Sequence, residues 1–185
     1  GNASGSARRR PRPSGAARRA YLAMMDIRRW LKVDPQGLYL PMADAWIDPA
    51  RPVARAIVTH GHSDHARGGH GEVLATAETL AIMEERYGPQ NGRALPLREQ
   101  LELGGVRISL HPAGHVLGSA QVRLEHGGQV AVVSGDYKRR PDPTCLPFEP
   151  VPCDIFITEA TFALPVFRHP PADGEIARAL DALAH

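Results

Sequence analysis

The chain of 185 residues is 43% hydrophobic and 23% charged, which is enough apolar material for one domain-sized core and excludes a disordered polymer. Its formal charge of +2 is unevenly placed, since residues 1–25 carry six arginines and no acid and the remainder has sixteen basic against twenty acidic residues; a globally basic nucleic-acid-binding body is excluded. No apolar run approaches the roughly 18 residues that cross a bilayer, and the two cysteines, Cys145 and Cys153, form neither a secreted disulfide pattern nor a four-thiolate zinc site, so a reducing cytoplasm is the expected setting.

Residues 1–25, rich in Arg, Ala, Ser, Gly and Pro without apolar periodicity, are expected to be a disordered tail upstream of a natural start at Met24 or Met25. One domain is expected over 26–185. Leu38 to Leu40 and Trp46 to Ile47 read as short strands, and Ala54 to Thr59 as a buried strand that runs straight into a group of histidines. Thr76 to Tyr87 places Leu80, Met83 and Tyr87 at helical spacing, with Thr76 as N-cap and Gly88–Pro89 as the stop, which predicts an amphipathic scaffold helix. Apolar runs flanking Gly104–Gly105 and Gly127–Gly128 predict two hairpins and therefore a mixed or antiparallel sheet. Ile155 to Thr158 is one more buried strand, and Gly174 to His185 starts a helix on Ile176, Leu180 and Leu183. No cap or closing strand follows it, so the sequence is expected to be the first part of a larger fold.

His60, Gly61, His62, Ser63, Asp64 and His65 spell HxHxDH at a strand end. Alternate residues of an extended segment project the same way, so His60 and His62 converge on one ion while the following turn aims Asp64 and His65 at a second. Imidazoles with carboxylates favour Zn²⁺, Mn²⁺ or Fe²⁺ over Ca²⁺, with Zn²⁺ or Mn²⁺ the better fit. Two further apolar strands end in a ligand type: Val106 to Pro112 leads through Ala113 and Gly114 to His115, and Val130 to Val133 leads through Ser134 and Gly135 to Asp136. Strand ends of one sheet gather at one edge, and the glycines let the backbone bend towards a cluster.

The order of HxHxDH, a distant His and then a distant Asp resembles the metallo-β-lactamase superfamily. More closely, IDPARPVARAIVTHGHSDHARGGH, LHPAGHVLGSAQVRLEHGG, VVSGDYKRRPDPTCLPFEPV and FITEATFALPVFRHPP are similar to the bacterial DNA-ligase-associated exonucleases, a β-CASP nuclease branch often labelled mRNA 3′-end processing factors. The resemblance runs from Asp26 to the end. It implies an α/β fold of the αββα type, a mixed sheet with flanking helices, of which this chain is the N-terminal half; the β-CASP region and later ligands would lie beyond residue 185. It implies two divalent metal ions, Zn²⁺ or Mn²⁺, with His60, His62 and His115 on the first, Asp64 and His65 on the second, Asp136 bridging, and Asp64 and Asp136 carrying the catalytic weight. Asp48, after the strand Ala45 to Ile47, falls where an acid orients the HxHxDH loop; an Asp-Pro turn is the alternative reading, and Asp44 suits the role less well. Glu159 falls in TEAT, where many relatives read TEST, and is expected beside the ligands.

Lys138, Arg139 and Arg140 are either phosphate contacts or a solvated turn. His70, His111, His126, His169 and His185 receive no role. Aromatic residues, 5% of the chain, are too sparse to define a base-stacking platform. The function implied by the resemblance is metal-dependent phosphodiester hydrolysis, as a DNA exonuclease working with an ATP-dependent DNA ligase, and with a helicase, in repair. An RNA-processing nuclease of the same branch offers the same chemistry, because DNA and RNA differ at the 2′-OH and not at the phosphodiester. A non-catalytic fragment holding one structural metal, and a small-ester or thioester hydrolase, are the readings from other classes; the SGDYK and TEAT segments speak against the last.

Overall fold

Short apolar runs cut by turn residues fold into strands that pair into two facing mixed sheets in the computed structural model, which describes residues 27–160 and the single Gly15. The Arg-rich tail and the helix expected over 174–185 lie outside the described residues. The first sheet contains β1 (Lys32–Asp34), β2 (Gly37–Leu40), β3 (Ala45–Ile47), β4 (Arg55–Ile57), β5 (Glu72–Ala75) and β6 (Gly92–Ala94), hydrogen-bonded in that order. β1, β2 and β3 pair antiparallel, whereas β3, β4, β5 and β6 pair parallel. Helix α1 (Ala77–Tyr87) connects β5 to β6. The second sheet contains β7 (Leu101–Leu103), β8 (Val106–Pro112), β9 (Ala120–His126), β10 (Gln129–Val133) and β11 (Ile155–Ile157) in the order β11-β10-β9-β8-β7, antiparallel except for the β10–β11 pair.

The core lies between the sheets. Leu40, Ile47, Ile57 and Leu74 of the first face Ile108, Leu110, Val122, Leu124 and Val133 of the second, all buried. The opposite face of the first sheet carries Ala56, Val58, Val73 and Ala75, which Leu80 and Met83 of α1 cover. Past the Arg55–Glu72 ion pair at their start, β4 and β5 are thus buried on both faces, and Ala56 to Val58 and Val73 to Ala75 read as apolar runs rather than alternations. The two glycine hairpins form as expected, with Leu103 opposite Val106 and His126 opposite Gln129.

Helix α1 begins where expected. The Thr76 hydroxyl accepts the Thr79 N–H at 3.2 Å, and Gly88, at φ +79°, ends the helix by donating its N–H to the Glu84 carbonyl at 2.8 Å. Two consequences of this topology position the site. β3 and β4 run parallel, and β8 and β10 run alike on either side of antiparallel β9, so within each sheet these chain ends leave at one edge. The Ala120 N–H donates to the Thr59 carbonyl at 2.8 Å and joins the two edges.

Candidate metal centre

The HxHxDH segment leaves β4 through Val58 and Thr59, both fully buried, and His60 has no solvent exposure. His62 is exposed, and its carbonyl accepts N–H groups from His65 at 3.1 Å and Ala66 at 2.7 Å, so the chain turns back and brings Asp64 and His65 to the same rim. α1 clamps this loop at one end: Arg86 Nη1 donates to the Gly61 carbonyl at 2.9 Å. At its other end, Thr76 and Thr79 hydroxyls donate to the Gly118 carbonyl at 2.7 and 3.2 Å. Gly118 belongs to the loop that carries His115, which is further fixed by Ser119 Oγ accepting the N–H groups of His115 and Val116 at 3.0 and 3.1 Å.

Four side chains converge. One ligand-type atom each from His60, His62, His115 and Asp136 lies within 4.8 Å of all the others. His62 Nδ1 stands 3.1 Å from His60 Nε2 and 3.2 Å from His115 Nε2. Asp136 Oδ2 faces His60 Nε2 at 3.9 Å and His115 Nε2 at 3.7 Å, while its other oxygen, Oδ1, faces His65 Nε2 at 3.4 Å. Asp64 Oδ2 lies 3.6 Å from the same His65 nitrogen.

Asp48 organises these rings from behind. It sits at φ +46°, just past β3, and its Oδ1 accepts the Thr59 N–H at 2.8 Å. Its Oδ2 takes the Thr59 hydroxyl at 2.7 Å and His65 Nδ1 at 2.8 Å. A carboxylate has no proton to give, so His65 donates from Nδ1 and turns its Nε2 towards Asp136 and Asp64. Asp44, by contrast, accepts the Tyr39 hydroxyl at 3.0 Å and is absent from the cluster.

Protonation follows burial. Desolvation, with the neighbouring His65, drives His60 down to about 3, and desolvation also lowers His115 despite the nearby Asp136 charge. Burial works against a proton on His65 too, but the Asp48 hydrogen bond and the charges of Asp48, Asp136 and Asp64 outweigh it and raise its pKa. His60 and His115, kept neutral by burial beside the Asp136 carboxylate, fit a divalent cation of the first transition row.

Glu159 lines a cavity of about 310 Å³ together with Asp48, His65 and Asp136, and its charge acts on His115. Of the basic run, Lys138 is held by Asp142 at 2.8 Å, whereas Arg139 and Arg140 are exposed. The structure therefore brings Asp48, Asp64, His65 and Glu159 around the four-residue cluster and turns Lys138 to an internal ion pair.

Residues 33–183 match the metallo-beta-lactamase superfamily. The chain belongs to that superfamily. It is 38% identical over 138 residues to a "Probable DNA ligase" of Opitutus terrae, covering 73% of this chain and 14% of that protein. It is 31% identical over 147 residues to "Ribonuclease TTHA0252" of Thermus thermophilus, with 62% and 33% covered, and 33% identical over 107 residues to "Endoribonuclease YSH1" of Eremothecium gossypii, with 57% and 13% covered. The chain thus spans a third or less of the length of these relatives. The two ribonuclease names agree with the β-CASP branch that the motifs resemble.

Thr59, Thr76, Thr79, Arg86 and Ser119 of this superfamily member also belong to the site, without a motif that marks them. Thr76 was legible only as a helix cap. Thr79 and Arg86 had no local signal because each acts on a loop distant in sequence, 39 residues away at Gly118 and 25 at Gly61, whereas Ser119 acts within its own loop on His115 and Val116.

Proposed function

We propose that this chain holds two divalent metal ions, Zn²⁺ or Mn²⁺, and forms the metal-binding part of a nuclease that hydrolyses phosphodiester bonds, with DNA as its substrate and strand ends as its point of attack. The observation that carries the reading is Asp136, whose two oxygens face two different sets of histidines. His60, His62 and His115 would hold one ion with Asp136 Oδ2; His65 and Asp64 would hold the other with Asp136 Oδ1. When bound, such a pair of ions supplies Lewis acidity to a phosphoryl group and acidifies water at neutral pH.

The protein's own part is placement. Asp48 and α1 fix the rings before a substrate arrives, which is the preorganisation that keeps a metal site from loosening. Asp64, 73% exposed, faces the solvent side from which a phosphate would approach, and the exposed Arg139 and Arg140 are suited to contact the strand backbone. The similarity to a protein named a probable DNA ligase supports DNA as the substrate and a ligase as partner in repair, while the ribonuclease relatives support RNA.

End-labelled single-stranded DNA and RNA of the same sequence, incubated with the intact protein and Mn²⁺ or Zn²⁺, decide between them. Progressive shortening of DNA is expected. Cleavage of RNA alone would replace DNA by RNA in this reading, and cleavage of neither, with metal bound, would overturn the nuclease assignment.

A further inference from the structure

We infer that Thr59 is a positioning residue of this centre: its hydroxyl fixes the nitrogen that His60 offers to the metal, and its side chain seats the loop that carries Asp136. The inference rests on the metal-centre reading above, and it names a residue that this reading does not use.

The available protons fix the direction of each bond at Thr59. Thr59 Oγ1 lies 2.7 Å from Asp48 Oδ2 and 3.0 Å from His60 Nδ1. A hydroxyl has one proton, and Asp48 can only accept, so the Thr59 proton is committed to Asp48. The bond to His60 must therefore run the other way, with Nδ1–H donating to Thr59 Oγ1. That places the imidazole proton on Nδ1 and leaves Nε2 bare, facing His62, His115 and Asp136. His60 is fully buried, so no water competes for the Nδ1 proton. The Thr59 hydroxyl and His65 Nδ1 share one Asp48 oxygen, which sets the tautomers of His60 and His65 together.

The second role comes from packing. Gly135, at φ +54°, lies so close that a Cβ added there would stand 2.6 Å from Thr59 Oγ1. Thr59 is thus the surface against which the residue before Asp136 rests, while its carbonyl accepts from Ala120 of the second sheet. One side chain sets both the orientation of His60 and the seat of the Asp136 loop.

The test pairs Thr59→Val, which keeps the branched shape and removes the hydroxyl, with Thr59→Ser, which keeps the hydroxyl. The metal-free protein is followed by long-range ¹H–¹⁵N correlation of the histidine rings, and Zn²⁺ affinity is read by chelator competition. The wild type is expected to show His60 protonated at Nδ1. Thr59→Ser should keep that tautomer and bind Zn²⁺ within about threefold of wild type, and Thr59→Val should lose the single tautomer and bind about 10- to 100-fold more weakly, the range for residues that orient metal ligands. Nε2–H in the wild type overturns the inference without any variant, even if Thr59→Val fails to fold. Equal losses in Ser and Val, or none in Val, overturn it as well. Failure of the wild type to bind Zn²⁺ would instead fall on the metal-centre reading, and the tautomer would still decide the role of Thr59.

Discussion

His65 Nδ1 lies 2.8 Å from Asp48 Oδ2, a contact that links the end of β3 to the turn of the HxHxDH loop across 17 residues of chain. The same carboxylate holds Thr59, so one acid outside the cluster governs two strand ends of the first sheet. Such outer partners set ring orientation and ligand basicity.

Asp48→Asn tests this without disturbing the backbone, because Asn tolerates the left-handed conformation at φ +46°. The amide can accept only at one end and carries no charge, so His65 and Thr59 cannot both be held as before. Zn²⁺ affinity by chelator competition is expected to fall about 10- to 100-fold while the far-ultraviolet circular dichroism is retained. An unchanged affinity would mean that Asp48 is only a turn residue.

Gly135→Ala should damage the site more than the fold. Its Cβ would meet Thr59 at 2.6 Å and push away the residue before Asp136. Gly127→Ala is the matched control: φ is +59° against +54°, yet nothing lies within 4 Å of the added carbon. Both variants carry a left-handed strain of about 1–2 kcal/mol, so thermal midpoints should drop in each. Metal affinity should drop only in Gly135→Ala; a like loss in Gly127→Ala would trace the effect to global destabilisation.

The clustered side chains were legible because they follow apolar strands: His60 comes after Thr59, His115 soon after Pro112 and Asp136 soon after Val133. The hairpins were legible from paired glycines, and α1 from the Thr76 cap and the Leu80–Met83 spacing. β1 was not, because Lys32, Val33 and Asp34 are exposed and carry no alternation of burial. β6 was not either: Gly92, Arg93 and Ala94 are a strand only because β5 offers a parallel edge to pair with. The second role of α1 was hidden for the same reason. Periodicity reports which face a helix buries, and Arg86 reaching the Gly61 carbonyl is a long-range fact with no local pattern.

Acid should weaken the metal-free protein before its carboxylates titrate. His60, His70 and His115 all have pKa values lowered by burial, His60 to about 3. In the unfolded chain these rings take up protons near 6.5, while the folded protein resists, so the unfolded state binds more protons below that pH. Stability is then full above about 6.5 and declines as the pH falls towards the folded values. His65, raised by Asp48, acts oppositely, lending stability below about 6.5 that is lost as the pH rises through its folded value. Among the described residues, three lowered rings against one raised ring give a net loss on acidification. Urea midpoints with chelator present are expected to be lower at pH 5 than at pH 7.5; a higher midpoint at pH 5 would mean that the His65–Asp48 pair dominates.

Asp136 and His62 should fail differently. Asp136 is within 3.9 Å of His60, within 3.7 Å of His115 and within 3.4 Å of His65, so removing its carboxylate takes an oxygen from both histidine groups at once. His62, by contrast, meets only the first group, through contacts of 3.1 and 3.2 Å. In the intact protein, Asp136→Ala should abolish nucleic-acid cleavage and reduce bound metal from both positions. His62→Ala should lower occupancy of one position more than the other. If the residues act as a unit, the double variant loses little beyond Asp136→Ala alone, as residues of one catalytic cluster do. Losses that instead multiply would show that Asp136 and His62 serve separate steps. Metal content by elemental analysis separates the two cases independently of turnover: near-complete loss in Asp136→Ala with partial retention in His62→Ala is the expected pattern. Full retention of two metals in Asp136→Ala would remove Asp136 from the bridging position.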